Sequence, residues 1–597
     1  MKVAGYELLG VAGYGLRVTR ALRRETTRAS HLVTQAWRWL RRASATRYPQ
    51  LATALALLAL LSACATTHPT PAMLDLKIIN GRVLDGTGAP WFRADVGVRG
   101  DTIVAIGDLR DTPAVATIDA KDRIVSPGFI DLLGQSQFAV FTDPHLEAKI
   151  RQGVTTEVTA EGHSPGPISP AVHDADAPPD AAKPRWTTLG QFFDVLEKNG
   201  SSLNFAFFVG ASNPRELVIG DVNRPPTAAE LAEMERITDQ AMREGAIGLS
   251  TSLIYLPAMY STTDELIALA KVAAKYDGVY FSHIRNEADQ IDSALDEAFR
   301  IGREAHIPIN IWHLKIGPRA NWGKMPHVIE RIEAARREGI DVAANVYPYI
   351  ASSTSLSTLA PDWAMEGGYQ DFQRRLTEPE SRAKIAEEFR RQFERRGERG
   401  IYVARIAEPA LAQYQKKYIE DIAAMMSTTV EEALIRLFTE TKSSPVVIFY
   451  GMSEDDVQYA LKQPWVSVGA DSGAPSPAAR ASNAAVHPRA YGSFPRVAGH
   501  YVRDVHLFTL EEAVRKMTSQ AADRVHLDDR GILRPGMKAD ILVFDPERIR
   551  DVSTFDDPHH FSEGIDDVIV NGKAVLQNGA MTPALPGRVL RGRGYQR

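Results

Sequence analysis

From Val279 to Lys315 the hydrophobic pattern switches period twice. Val279-Tyr-Phe-Ser-His283 and Ile309-Asn-Ile-Trp-His313 are short β-prone runs, each ending in a histidine, with Arg285 or Lys315 two positions later. Between them Ile291, Ala294, Leu295, Ala298 and Ile301 fall at helical spacing. The pattern predicts strand, helix, strand, with one imidazole at the C-terminal end of each strand. Amphipathic stretches over Ala228 to Glu244, Thr263 to Tyr276 and Pro326 to Gly339 extend the alternation. Carried across residues 127–527, it predicts a (β/α)8 barrel of the α/β class, whose strand C-termini converge on one rim.

The ends of the chain follow a two-residue period instead. Leu74 to Asp85, Ala94 to Val98 and Thr102 to Gly107 alternate as strands, and Ala539 to Asp545 and Asp567 to Lys573 repeat that texture. Ile79-Asn-Gly81 is echoed by Val570-Asn-Gly572. Residues 74–126 and 528–597 are therefore expected to form one small β-sandwich domain. Asp371 to Glu398 is densely charged and helical with no buried strand evident, so an insertion near the barrel mouth is expected at 361–427.

Composition narrows the chemistry. The 597 residues, 44% of them hydrophobic, suffice for a large core plus a second domain. Cys64 is the only cysteine, so disulfides and cysteine-rich zinc sites are excluded and a metal must be held by His, Asp or Glu. Residues 1–63 carry ten Lys/Arg against Glu7 and Glu25, leaving a body of net charge −13, which argues against a nucleic-acid partner. The uncharged run Leu51 to Leu61 is too short to span a membrane and matches the apolar part of a secretory signal. It ends in Leu61-Ser-Ala-Cys64, which resembles the lipobox of bacterial lipoproteins. That resemblance implies lipidation at Cys64, export to the periplasmic side of the cell envelope and anchoring to a membrane. Residues 1–64 would then be an extension plus signal, and 65–73, rich in Thr and Pro, a tether.

Five stretches taken in order resemble the amidohydrolase superfamily, and within it the N-acyl-D-amino-acid deacylases (D-aminoacylases). They are Gly245 to Thr251, Ser282-His-Ile-Arg-Asn-Glu-Ala288, Asn345-Val-Tyr-Pro-Tyr349, His487-Pro-Arg to Arg496 and Asp529 to Gly536. The departure comes after Pro127-Gly-Phe-Ile-Asp131, where Leu133 and Gln135 replace the family's His-x-His pair. Leucine cannot coordinate and glutamine is a weak zinc ligand, so one metal ion is expected rather than two. With a one-residue gap, Glu161 takes the place of the family's cysteine ligand, and a carboxylate is an ordinary zinc ligand. The resemblance thus implies Zn2+ held by Glu161, His283 and His313, with His163 as a substitute ligand or substrate contact and Gln135 as a further candidate site residue. Alternatively Glu161 is a rim residue bonded to backbone, and the two histidines are satisfied core groups.

By the same resemblance, Asp471, in Gly469-Ala-Asp-Ser-Gly473, is the catalytic acid and base for amide hydrolysis by metal-activated water. Tyr255 is the candidate for the developing oxyanion, Tyr347 and Ser353 line the pocket, and Arg285 and Lys315 grip a free carboxylate. Arg489 and Arg496 bind substrate or staple loops. The substrate implied is an N-acyl-D-amino acid or a short D-residue-containing peptide. Two alternatives stay open: a cyclic amide or lactone hydrolase on the same scaffold, and a binding lipoprotein without catalysis.

Overall fold

The computed structural model describes residues 73–169, 186–481 and 485–596. Residues 1–72, with Cys64 and nearly all of the expected signal and tether, lie outside the described residues.

Eight parallel strands build the barrel. They are β1 (Phe129–Gly134), β2 (Val154–Thr159), β3 (Asn204–Phe207, resuming at Val209–Gly210), β4 (Gly248–Ser252), β5 (Val279–His283), β6 (Ile309–Ile311), β7 (Val342–Val346) and β8 (Val466–Val468). Every residue in them is buried, as strands covered by helices outside and filled by side chains inside require. β1 pairs with β2 and β2 with β3, and a second run of pairs leads from β3 through β7 to β8. The ring closes just beyond β8, where Asp471 N–H donates to Leu133 O at 2.7 Å and Gly134 bridges Ser472.

The helices pack as their periodicity dictates. In α1 (Ile291–Ala305), Ile291, Ala294, Leu295, Ala298 and Ile301 are all buried, and the helix stops at His306 in the left-handed conformation. The helix Ala228–Glu244 starts at a capping box, Thr227 with Glu230, and ends at Gly245 with φ of 119°.

The first and last described segments meet in one nine-stranded sheet, hydrogen-bonded continuously from Ala580–Met581 at one edge to Thr102–Gly107 at the other. The join is antiparallel, Ile124–Pro127 against Ile541–Phe544. Ile78, Val96, Val125, Ile541 and Val543 share its core. The echoed Asn80 and Asn571 both adopt positive φ, 58° and 46°, a conformation asparagine tolerates better than most residues.

Between β7 and β8 lies a unit with its own core, from Leu356 to Phe449. Its four-stranded antiparallel sheet uses Ser352–Ser355, Ile401–Arg405, Lys417–Tyr418 and Val446–Phe449. The unit is therefore wider than 361–427. Its first strand is all Ser and Thr and carries no hydrophobic signal in the sequence. α2 (Pro379–Arg396) supplies the charged helix and buries Ile385 and Phe389.

Candidate metal centre and catalytic site

Three side chains from three strand ends meet above the barrel. Glu161 follows β2, His283 ends β5 and His313 follows β6. Their ligand atoms all lie within 4.8 Å of one another. Glu161 Oε1 stands 3.0 Å from His283 Nδ1 and 3.1 Å from His313 Nε2. The backbone is bent to bring them there: Ala160 has φ of 83° and His313 of 35°. Ser250 of β4 fixes the first bend, donating to Ala160 O at 2.6 Å and accepting from Gly162 N–H at 3.1 Å. A side chain on Gly162 would meet Ser252 at 2.6 Å, so the chain can turn here only with glycine. Asn345 of β7 fixes the second bend by accepting the His313 N–H at 2.7 Å.

Glu287, on the loop after β5, serves both imidazoles. Its Oε1 lies 3.0 Å from His313 Nδ1 and 2.6 Å from Lys315 Nζ. The His283 Nε2 is buried, makes no hydrogen bond and faces Glu287 Oε2 at 3.5 Å. Burial works against charge on Glu287, but Lys315 and the two histidines outweigh it and hold the carboxyl well below the usual range. The same contest on Glu161 is won by the hydrogen bonds from His283 and His313. For His313, burial and Lys315 push downward, yet Glu287, Asp471 and Glu161 together raise the imidazole to about 9. One carboxylate and two imidazoles, with acidic oxygens turned toward each ring, fit a divalent metal such as zinc.

Asp471 completes the arrangement from beyond β8. Its φ is 49°, and it is held on every side. Gln135 Nε2 bridges Asp471 Oδ1 and Glu161 Oε2, each at 3.1 Å. Arg489 Nη1 stands 2.7 Å from Asp471 Oδ2. Burial pushes the Asp471 carboxyl up, against the pull of Arg489 and His313. Gln135 thus joins the candidate metal-ligand group to Asp471.

The cavity over these groups measures about 740 Å³ and is lined by Gln135, Glu161, Tyr255, His283, Ser353 and Asp471, together with residues of the inserted unit. Tyr255 lies edge-on to His283 at 5.7 Å and bonds Thr354 Oγ1 at 2.5 Å. Burial keeps its hydroxyl protonated far above the ordinary tyrosine range. Three sequence expectations change. His163 stands apart from the cluster, with Nε2 at 3.8 Å from Glu216. Tyr347 lies behind His313 and beneath Arg489, off the cavity wall, its hydroxyl against Met452. Arg285 lines the cavity, but its guanidinium is forked onto Glu297 at 2.9 Å and donates to Met259 O and Ser261 O. Lys315 is likewise engaged by Glu287 and lies 2.8 Å from His313 Nδ1. Glu287 enters the site without having been assigned a role in it from the sequence, and Arg489, expected to bind substrate or staple a loop, is found paired with Asp471. Glu287 had one signal, its place inside the matched stretch Ser282 to Ala288.

A barrel with a carboxylate, two imidazoles and an aspartate gathered at its C-terminal rim has the make-up of a metal-dependent hydrolase. Residues 116–576 match the amidohydrolase family profile. The D-aminoacylase of Alcaligenes xylosoxydans xylosoxydans is 36% identical over 519 residues, 86% of this chain and 97% of that protein. The N-acyl-D-glutamate deacylase of the same organism is 36% identical over 521 residues, 87% of this chain and 96% of the relative. A crystal structure of N-acyl-D-glutamate deacylase from Bordetella bronchiseptica, complexed with zinc and a phosphonate inhibitor, superposes with a TM-score of 0.73. It is 34% identical, and the match covers 87% of this chain and all of that one. The chain belongs to the amidohydrolase family and, within it, to the D-aminoacylases.

Proposed function

We propose that this protein is a zinc-dependent deacylase that hydrolyses the amide bond of N-acyl-D-amino acids or of short D-residue-containing peptides with a free carboxylate. The observation that carries the reading is the continuous contact from His283 and His313 through Glu161 and Gln135 to Asp471, all on one cavity.

Glu161, His283 and His313 would hold a single zinc ion, since Leu133 and Gln135 offer nothing comparable to a second pair of imidazoles. When bound, zinc polarises a carbonyl oxygen and lowers the pKa of water to about 7. The protein's own groups do the rest. Asp471, with its carboxyl raised by burial, takes a proton from the attacking water and passes it to the departing nitrogen. Arg489, 2.7 Å from its Oδ2, opposes that rise. The Tyr255 hydroxyl, protonated at any physiological pH, can turn from Thr354 to donate to the carbonyl oxygen as charge develops there. Lys315 is the cavity cation that lies 2.8 Å from the Nδ1 of a candidate ligand histidine, and it supplies positive charge where a carboxylate two bonds from the scissile nitrogen must sit.

The lipobox-like Leu61-Ser-Ala-Cys64 supports export and a lipid anchor at Cys64, which would place the enzyme where D-residues of the cell envelope are available. Purified protein, assayed for zinc and for release of free amine from N-acyl-D- and N-acyl-L-amino acids, tests the function. About one zinc per chain and preferential cleavage of the D-series support it; no cleavage of either series by zinc-loaded protein rejects it.

A further inference from the structure

The inserted unit brings charge of its own to the cavity. Four cations line the wall: Arg285, Lys315, Arg395 and Arg396. Three are matched by a carboxylate: Arg285 by Glu297, Lys315 by Glu287 and Arg395 by Asp289. Arg396, the last residue of α2, has no carboxylate within ion-pairing distance among the described residues. Its Nη1 is fixed by Gln392 Oε1 at 2.5 Å and its guanidinium lies over the Phe449 ring at 4.7 Å from the centroid. Phe449 and Gln392 line the same cavity, so the remaining guanidinium N–H groups are presented on an aromatic platform beside open space. Burial and the neighbouring Arg395 together pull this guanidinium down to about 10, which marks a cation short of counter-charge.

We propose that Arg396 is an anion subsite which receives a second carboxylate of the substrate, separate from the α-carboxylate, and so directs the enzyme toward acidic N-acyl-D-amino acids. This rests on the deacylase reading above. The α-carboxylate is tied by two bonds to the scissile nitrogen and must lie beside the metal ligands, where Lys315 stands 2.8 Å from His313 Nδ1. Arg396 bonds no ligand and belongs to a different unit, so it addresses an anion several bonds further out. Its fork suits a carboxylate, bound through two parallel N–H groups. The second carboxylate can stand on the amino-acid side chain or at the far end of the acyl group.

Three substrates separate these sources: N-acetyl-D-leucine, N-acetyl-D-glutamate and N-succinyl-D-leucine. Each is measured with wild type, Arg396→Gln, Arg396→Lys and the exposed control Arg374→Gln. The wild type is expected to favour one of the two dianions by about tenfold or more in kcat/KM over the neutral side chain. Arg396→Gln should collapse that ratio, Arg396→Lys should restore part of it, and Arg374→Gln should keep it. Which dianion is favoured identifies the source. Calorimetric binding of the same compounds to Asp471→Asn protein, with and without Arg396→Gln, reads the subsite without turnover. A folded Arg396→Gln protein with the wild-type ratio and the same relative affinities overturns the proposal, as does a wild type indifferent to the second carboxylate. Failure of all three substrates to react while the binding preference persists would reject the deacylase reading and leave the subsite standing.

Discussion

Lys149 Nζ lies 2.7 Å from Asp131 Oδ2 in the interior of the barrel, with both side chains wholly removed from water. The pair grips the two flanks of Asp471. Asp131 Oδ1 accepts the N–H of Ala470 at 2.8 Å, and Lys149 donates to Ser472 O at 2.6 Å. Glu157 stands 3.5 Å from the same ammonium and accepts from Ser136 N–H and Oγ–H. Glu157 passes where a side chain on residue 134 would be, so Gly134 is obligatory: its Cβ would lie 1.8 Å from Glu157 Cγ. Burial opposes the charge on Lys149, and Asp131 and Glu157 overcome it.

Breaking this pair is expected to be costly. Lys149→Met leaves Asp131 and Glu157 buried without a cation, and a stability loss of about 3–5 kcal/mol is expected by denaturant unfolding. The double variant Lys149→Met/Glu157→Gln removes one charge of each sign and should recover part of that stability. It should still turn over more slowly than wild type, because Ser472 O has lost its donor and the strained Asp471 backbone is held from one side only. A double variant with wild-type kcat would mean that the ion pair is packing alone.

Gln135 makes a sharper test of how the acid is oriented. Gln135→Ala removes the donor shared by Glu161 Oε2 and Asp471 Oδ1, but no candidate metal ligand. Zinc content should stay near about one per chain while kcat falls by about tenfold or more. Parallel loss of zinc would instead make Gln135 part of the metal site.

How much of this could be read along the chain depends on the range of each interaction. His283 and His313 were legible because each closes a hydrophobic run, and strand ends share a rim; Asp471 was singled out by resemblance to a family segment. Glu161 came from resemblance to a family segment, with a one-residue gap. Glu287 was not assigned a role, because a loop residue has no period and only the folded loop shows it reaching the histidine of the neighbouring strand. Arg285 misled for a related reason. Two positions past a strand end it can face the cavity or the next helix, and Glu297 on α1 draws it to the helix. Lys149, Asp131 and Glu157 look unremarkable one by one, and only barrel closure brings them together. The inserted unit was underestimated because Ser352–Ser355 forms a strand with no apolar residue in it.

Glu287→Gln should weaken zinc binding without abolishing it. The carboxylate sets His313 by accepting at Nδ1, and it balances Lys315 beside the ligand. A carboxamide keeps the shape but loses the charge, and an affinity loss of about 10–100-fold is expected from competition with a chelator. Unchanged affinity would show that Asn345 alone orients His313.

The pH dependence of the metal-free protein follows from His313. Its imidazole is raised to about 9 in the folded chain, against about 6.5 for an unfolded histidine. A raised folded value means that the native state holds the proton more tightly. The contribution is therefore complete below about pH 6.5 and is lost as pH rises through about 9, with a size on the order of 3 kcal/mol. Thermal unfolding of metal-free protein should show Tm falling across that window, and His313→Gln should flatten the fall. Zinc competes for the same imidazole, so its uptake near neutral pH should release protons and give a heat that depends on the buffer. A Tm that stays level to pH 9.5 in metal-free wild type would mean that Glu161 and Glu287 do not hold His313 in its charged form.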